Sequence, residues 1–134
     1  MPADEYGRSL TGLSLNLLVE DVGKSLDFQR RVLGAEVVYS DPDFAVLRGY
    51  GAEWMLHADH TYDRHPVRIA ANAAGQRGAG AEIRLHGCDP DQAERAAMDN
   101  GYEVVARAMN KPHGLREAFL VDPDGYLWVP DIPA

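Results

Sequence analysis

Leu13 to Val38 reads LSLNLLVEDVGKSLDFQRRVLGAEVV, and further along the chain Ala81 to Val105 reads AEIRLHGCDPDQAERAAMDNGYEVV. Both run in the same order: an alternating strand, an aspartate, a helix-length stretch, a glycine and a second strand. Asp21 corresponds to Asp89 and Gly34 to Gly101, with one residue fewer in the second helix. Self-similarity at a long fixed spacing marks a repeated supersecondary unit. The endings GAEVV and GYEVV are weak evidence alone; the shared periodicity around them makes duplication the better reading.

The periodicity assigns faces. Side chains alternate across a strand, so Leu13, Leu15, Leu17 and Val19 share one face while Ser14, Asn16 and Leu18 share the other. In the second copy Ile83 and Leu85 are apolar, and Glu82, Arg84 and His86 form the polar face. Asp21 can cap a helix that Gly34 ends, with Val22, Leu26 and Leu33 on its inner stripe. The second helix has stronger start signals: Asp89 as cap, Pro90 at the first position and Gln92 three residues after the cap. Its stripe of Ala93, Ala96 and Ala97 is thin enough to lie close on a sheet. After each helix come three further strands, expected at Glu36–Tyr39, Phe44–Arg48 and Glu53–His57, then at Glu103–Ala108, Glu117–Val121 and Tyr126–Val129. Asp122-Pro123-Asp124-Gly125 makes the final turn, with proline preset at its second position. The expected fold is α+β: one domain over residues 1–134, with a βαβββ module at about 11–57, a linker at about 58–80 and a second module at about 81–131. The first ten residues read as a loose end.

Composition narrows the partners. The chain has 134 residues, 46% of them apolar, with a net charge of −8, which suits one acidic globular domain and excludes nucleic acid phosphates as a target. It has no apolar run long enough to span a membrane and no basic-then-apolar leader, so the expected location is the cytoplasm. Cys88, the one cysteine, reads as a small half-buried residue rather than a nucleophile. A small molecule and a second copy of the chain are the partners left.

Together the repeated stretch, AEIRLHGCDPDQAE and the closing KPHGLREAFLVDPDGYLWVPD resemble the vicinal oxygen chelate superfamily of glyoxalase I, bleomycin-resistance proteins and extradiol dioxygenases. The resemblance runs from about Leu13 to Asp131 and is nearest the bleomycin-resistance branch. It implies two βαβββ modules whose strands curve around a cup, helices on the outer sheet faces, and in many members a homodimer. Whether the cup closes within one chain or across two stays open. Metal-dependent members take ligands from the first and last strand of each module, and the matching positions here are Ser14, Met55, Glu82 and Val129. Of these only Glu82 suits a hard or borderline divalent cation. The resemblance therefore implies no cofactor and no metal; if one is held, Glu82 and His57 are its ligands.

The remaining candidates follow from the polar faces. HADHTYDRHP, from His57 to Pro66, gathers His57, His60 and His65; with donors spread along a loop, it reads as a pocket rim rather than a metal site. Asn16, His57, Glu82, Arg84, His86, His113 and Asp131 are the candidate ligand contacts, with Asp131 as a rim carboxylate and Arg84 paired to Glu82. His113 stands where relatives commonly have tryptophan. Trp54 and Trp128 have the opposite parity and are expected to pack under the helices. Glu82, His57 and His86 are the candidate catalytic groups. The function expected is binding of a small molecule in the cup without the usual divalent metal; the alternative is a divergent metal-dependent lyase, isomerase or dioxygenase of the same superfamily using His57 and Glu82.

Overall fold

The duplicated period folds as two copies of one unit. The computed structural model describes residues 2–74 and 76–134. In chain order the elements are α1 (Ala3–Ser9), β1 (Asn16–Val19), α2 (Val22–Arg31), β2 (Glu36–Ser40), β3 (Phe44–Gly49) and β4 (Ala52–Ala58). A 3-10 turn (Asp59–Tyr62) and α3 (Pro66–Ala74) lead into β5 (Ile83–His86), α4 (Pro90–Asp99), β6 (Glu103–Asn110), β7 (Leu115–Val121) and β8 (Leu127–Pro133). Each module makes a four-stranded mixed sheet, ordered β1-β4-β3-β2 and β5-β8-β7-β6. The first strand of each lies parallel to the last, Asn16 opposite Met55 and Arg84 opposite Val129. The other pairs are antiparallel.

Local chemistry sets the helix limits. The Asp21 carboxylate accepts from the Lys24 amide at 3.0 Å, and Asp89 from the amides of Asp91 and Gln92 at 2.9 and 3.3 Å, satisfying donors that have no intrahelical partner. Gly34 and Gly101 take positive φ where each helix gives way to a strand. Asp122 ties the last turn: Oδ1 accepts from the amides of Asp124 and Tyr126, and Oδ2 from the Trp128 indole at 2.9 Å.

Both modules feed one core. Leu17, Val19, Trp54 and Leu56 of the first meet Leu85, Ala118, Leu120 and Trp128 of the second, with Val22, Leu26 and Phe28 of α2 and Ala93 and Ala97 of α4. The Trp54 and Trp128 rings lie 5.7 Å apart, and Phe28 meets Tyr102 edge-on at 5.1 Å. Both tryptophans are thus under the helices, as their parity predicts. The helix-covered face of each sheet points into this shared core, and the opposite face lies on the side away from it. Cys88 is buried there, its thiol pushed up by desolvation. No helix among the described residues is long and apolar enough to cross a membrane.

The structure departs from the sequence reading at three places. Leu13, expected under the helix, is 95% exposed: β1 begins three residues later, so Leu13 lies outside the sheet. Within the expected loose end, Ala3–Ser9 form a helix, with the Tyr6 hydroxyl donating to Glu53 at 2.8 Å. The linker holds a 3-10 turn and a helix, anchored where Asp59 accepts two bonds from Arg77, at 2.8 and 2.6 Å.

Candidate functional site

The faces turned away from the core carry the candidate side chains, one group per module. On the second module, β5, β7 and β8 bring Arg84, Glu117 and Asp131 into register, Arg84 beside Val129 and Glu117 opposite Asp131. Arg84 donates through Nη1 to Glu82 at 2.9 Å, through Nε to Asp131 at 3.2 Å and through Nη2 to Glu117. The second oxygen of Asp131 meets His86 Nδ1 at 2.7 Å, and His113 Nε2 lies 3.4 Å from Glu117. One guanidinium thus serves three carboxylates, two of them deeply buried: Glu117 is 4% exposed and Asp131 1%. Burial, the largest single influence, would raise the Glu117 pKa, but the hydrogen bond and charge of Arg84, with a smaller contribution from His113, together outweigh it and hold the carboxyl below its ordinary value. The same contact, with Glu82 and Asp131 added, raises the Arg84 pKa.

Two sequence expectations change here. Asp131 is not a rim carboxylate: strand pairing with Glu117 and His86 seats it beneath Arg84. Glu117 was absent from the candidate residues, although it alternates with the core residues Ala118 and Leu120 and so had to share the face of Arg84. The Arg84–Glu82 pair is present as expected, and His86 and His113 sit at the edges of the cluster with exposed side chains.

On the first module, β1, β3 and β4 present Asn16, Phe44, Met55 and His57. Asn16 Oδ1 lies 3.3 Å from His57 Nε2, and burial lowers the His57 pKa, favouring the uncharged ring. Five aromatic rings follow one another across this face. Tyr39 is 6.0 Å from Phe44, Phe44 5.0 Å from His57, His57 5.0 Å from Tyr62, and Tyr62 4.6 Å from His65. Leu18, Val46 and Met55 are the buried floor beside them. At the other end of the face a cavity of about 330 Å³ is lined by Ser14, Met55 and Glu53 with Tyr6 and Leu10 from the N-terminal segment.

The remaining histidines of HADHTYDRHP take local partners: His60 Nε2 meets Asp43 at 2.7 Å, and His65 Nδ1 accepts from the Val67 amide at 3.1 Å. Among the described residues no three His, Cys, Asp or Glu side chains converge as a metal-holding group. The donor set at the matching positions does not fit a divalent cation, since Ser14 and Met55 are poor ligands, Val129 has no donor, and Glu82 is engaged by Arg84. Among the described residues, the hydrogen bonds and ion pairs of each group stay within its own module, so His57 and Glu82 are not joined within one chain.

A sequence profile of the Glyoxalase/Bleomycin resistance protein/Dioxygenase superfamily matches residues 13–129. No curated protein matches the chain. Solved structures share its fold. TioX from Micromonospora sp. ML1 is 21% identical, with 92% of this chain and 97% of that one covered at a TM-score of 0.68. A glyoxalase/bleomycin resistance protein/dioxygenase family enzyme from Burkholderia phytofirmans PsJN is 15% identical, with 90% and 97% covered at 0.72. FosX, the genomically encoded fosfomycin resistance protein from Listeria monocytogenes, is 17% identical, with 93% and 95% covered at 0.67.

Proposed function

This chain belongs to the Glyoxalase/Bleomycin resistance protein/Dioxygenase superfamily, and from that premise we propose that it binds a cationic small molecule on the two sheet faces turned away from its core, without the divalent metal of the metal-dependent members and with each cup completed by a second copy of the chain. The observation that carries this reading is the cluster on the second module: Glu82, Glu117 and Asp131 share one arginine, which leaves an excess of fixed negative charge on an open, partly desolvated face. Such a face attracts cations more strongly than the same charges scattered in water. The second copy is called for by packing. Within one chain the two modules meet through their helix-covered faces, so another subunit is needed to set a first-module face opposite a second-module face.

Thermal-shift and calorimetric titration of untagged protein test the reading, comparing Mn²⁺, Ni²⁺ and Zn²⁺ with cationic, neutral and anionic small molecules of similar size. Stabilisation by cationic compounds, weakened by Glu82→Lys, is expected. Stoichiometric binding of one of these metals, abolished by Glu82→Ala, would overturn it.

The Asp131–His86 pair favours a second reading. A buried carboxylate on Nδ1 fixes the ring and leaves Nε2 free on the open face, the arrangement that orients a general base. A His86→Gln variant that keeps ligand affinity but loses turnover in a substrate screen would establish it; unchanged turnover would end it.

A further inference from the structure

Resting on the small-molecule reading above, we infer that the ring row of the first module is a stacking platform, and that the ligand it takes is a planar aromatic cation. The row is built from four separate parts of the chain: Tyr39 of β2, Phe44 of β3, His57 of β4, then Tyr62 and His65 beyond it. These rings are not core. The shared core lies on the far side of the sheet, and the row keeps Tyr39 and His65 exposed with Phe44, His57 and Tyr62 half-buried. A sheet face that needed only to be soluble would not align five aromatic groups at contact spacing. Ring faces attract flat π-systems in offset or tilted geometry and attract cations through their quadrupole.

Charge decides the sign of the guest. Tyr39 donates to Asp41 at 2.6 Å, and this bond with the Asp43 amide keeps the Asp41 carboxyl below its ordinary value and therefore ionised. Asp41 follows β2 directly, at the Tyr39 end of the row, and among the described residues no lysine or arginine pairs with it. The His57 ring, uncharged because burial lowers its pKa, adds a π-face without adding repulsion. A flat body over the rings with a positive substituent towards Asp41 satisfies both features. An anion of the same shape would meet the Asp41 carboxylate, and an aliphatic cation would leave the rings unused.

Calorimetric titration of the intact protein with three probes tests this: 9-aminoacridine as planar cation, anthracene-9-carboxylate as planar anion, and spermidine as non-aromatic cation. We expect 9-aminoacridine to bind tightest, with Phe44→Leu and Tyr62→Leu each weakening it about five- to tenfold while spermidine binding is unchanged. Circular dichroism and the melting temperature verify that both variants fold; a Tyr62→Phe variant, which keeps the ring, should bind like the wild type and covers the case in which a leucine variant does not. Equal affinity for the anthracene anion would overturn the charge assignment. Spermidine binding as tight as 9-aminoacridine, or 9-aminoacridine binding indifferent to Phe44 and Tyr62, would overturn the platform while leaving cation binding at the second module standing. No binding of 9-aminoacridine overturns the platform too, and spermidine then reports separately on the broader reading.

Discussion

Arg84 holds together a group of side chains that could not stay buried without it. Glu117 and Asp131 are almost wholly out of water, and the desolvation of a carboxylate is tolerated only where an opposite charge and hydrogen bonds replace the lost water. Replacing Arg84 by methionine keeps the bulk and removes the charge. It should cost about 3 kcal/mol at neutral pH, because two buried carboxylates are left uncompensated. The pH dependence should change sign as well. In the wild type the Glu117 pKa is lowered on folding, so its contribution is present above the unfolded value and is lost as the pH falls through the folded one. Without Arg84 burial is opposed only weakly by the exposed His113, the Glu117 pKa rises on folding, and acidification should recover stability. Urea unfolding of both proteins at about pH 4 and about pH 7 reads the difference; parallel losses on acidification would show that Arg84 does not govern the titration.

At the scale of the element, what could be foreseen is what a single segment encodes. Asp89 with Pro90 announces the start of α4, and Asp89→Ala should cost about 1 kcal/mol by calorimetry, with little change in fold. Trp128 is more demanding: its ring fills the junction of the modules and its indole donates to buried Asp122, so Trp128→Ala should cost about 3–5 kcal/mol. A loss under about 1 kcal/mol would mean the modules hold without that contact. The strands, caps and closing turn were legible because alternation, capping aspartates and proline–glycine placement are local signals. The helix α1 was not, because it buries no residue and so has no apolar stripe to reveal a period. The site divides along the same line. Arg84 with Glu82 follows from neighbours on one strand, whereas the burial of Asp131 and the role of Glu117 depend on β7 and β8 lying side by side. The ring row escaped notice for the same reason: its members come from three strands and the turn after them, and only the pairing of Phe44 with His57 brings them into line.

For the whole molecule the decisive arrangement is that the shared core faces inward from both sheets, which leaves the ring row and the arginine–carboxylate cluster on separate outward faces. If a cup is made from the first-module face of one copy and the second-module face of another, defects in the two faces must complement each other between chains. Phe44→Leu damages every cup of its own homodimer, and so does Glu82→Lys. Refolded together in equal amounts, the two variants should form mixed dimers in which one cup is wholly intact and the other carries both defects, so about a quarter of all cups regain full affinity. Titration with 9-aminoacridine should then show a tight class of sites absent from either variant alone, and light scattering should report twice the 14.7 kDa chain mass. A cup closed within each chain gives the opposite result, because no mixture of singly damaged chains contains an undamaged one. Monomeric mass, or a mixture that binds no better than its components, would therefore remove the second copy from the site.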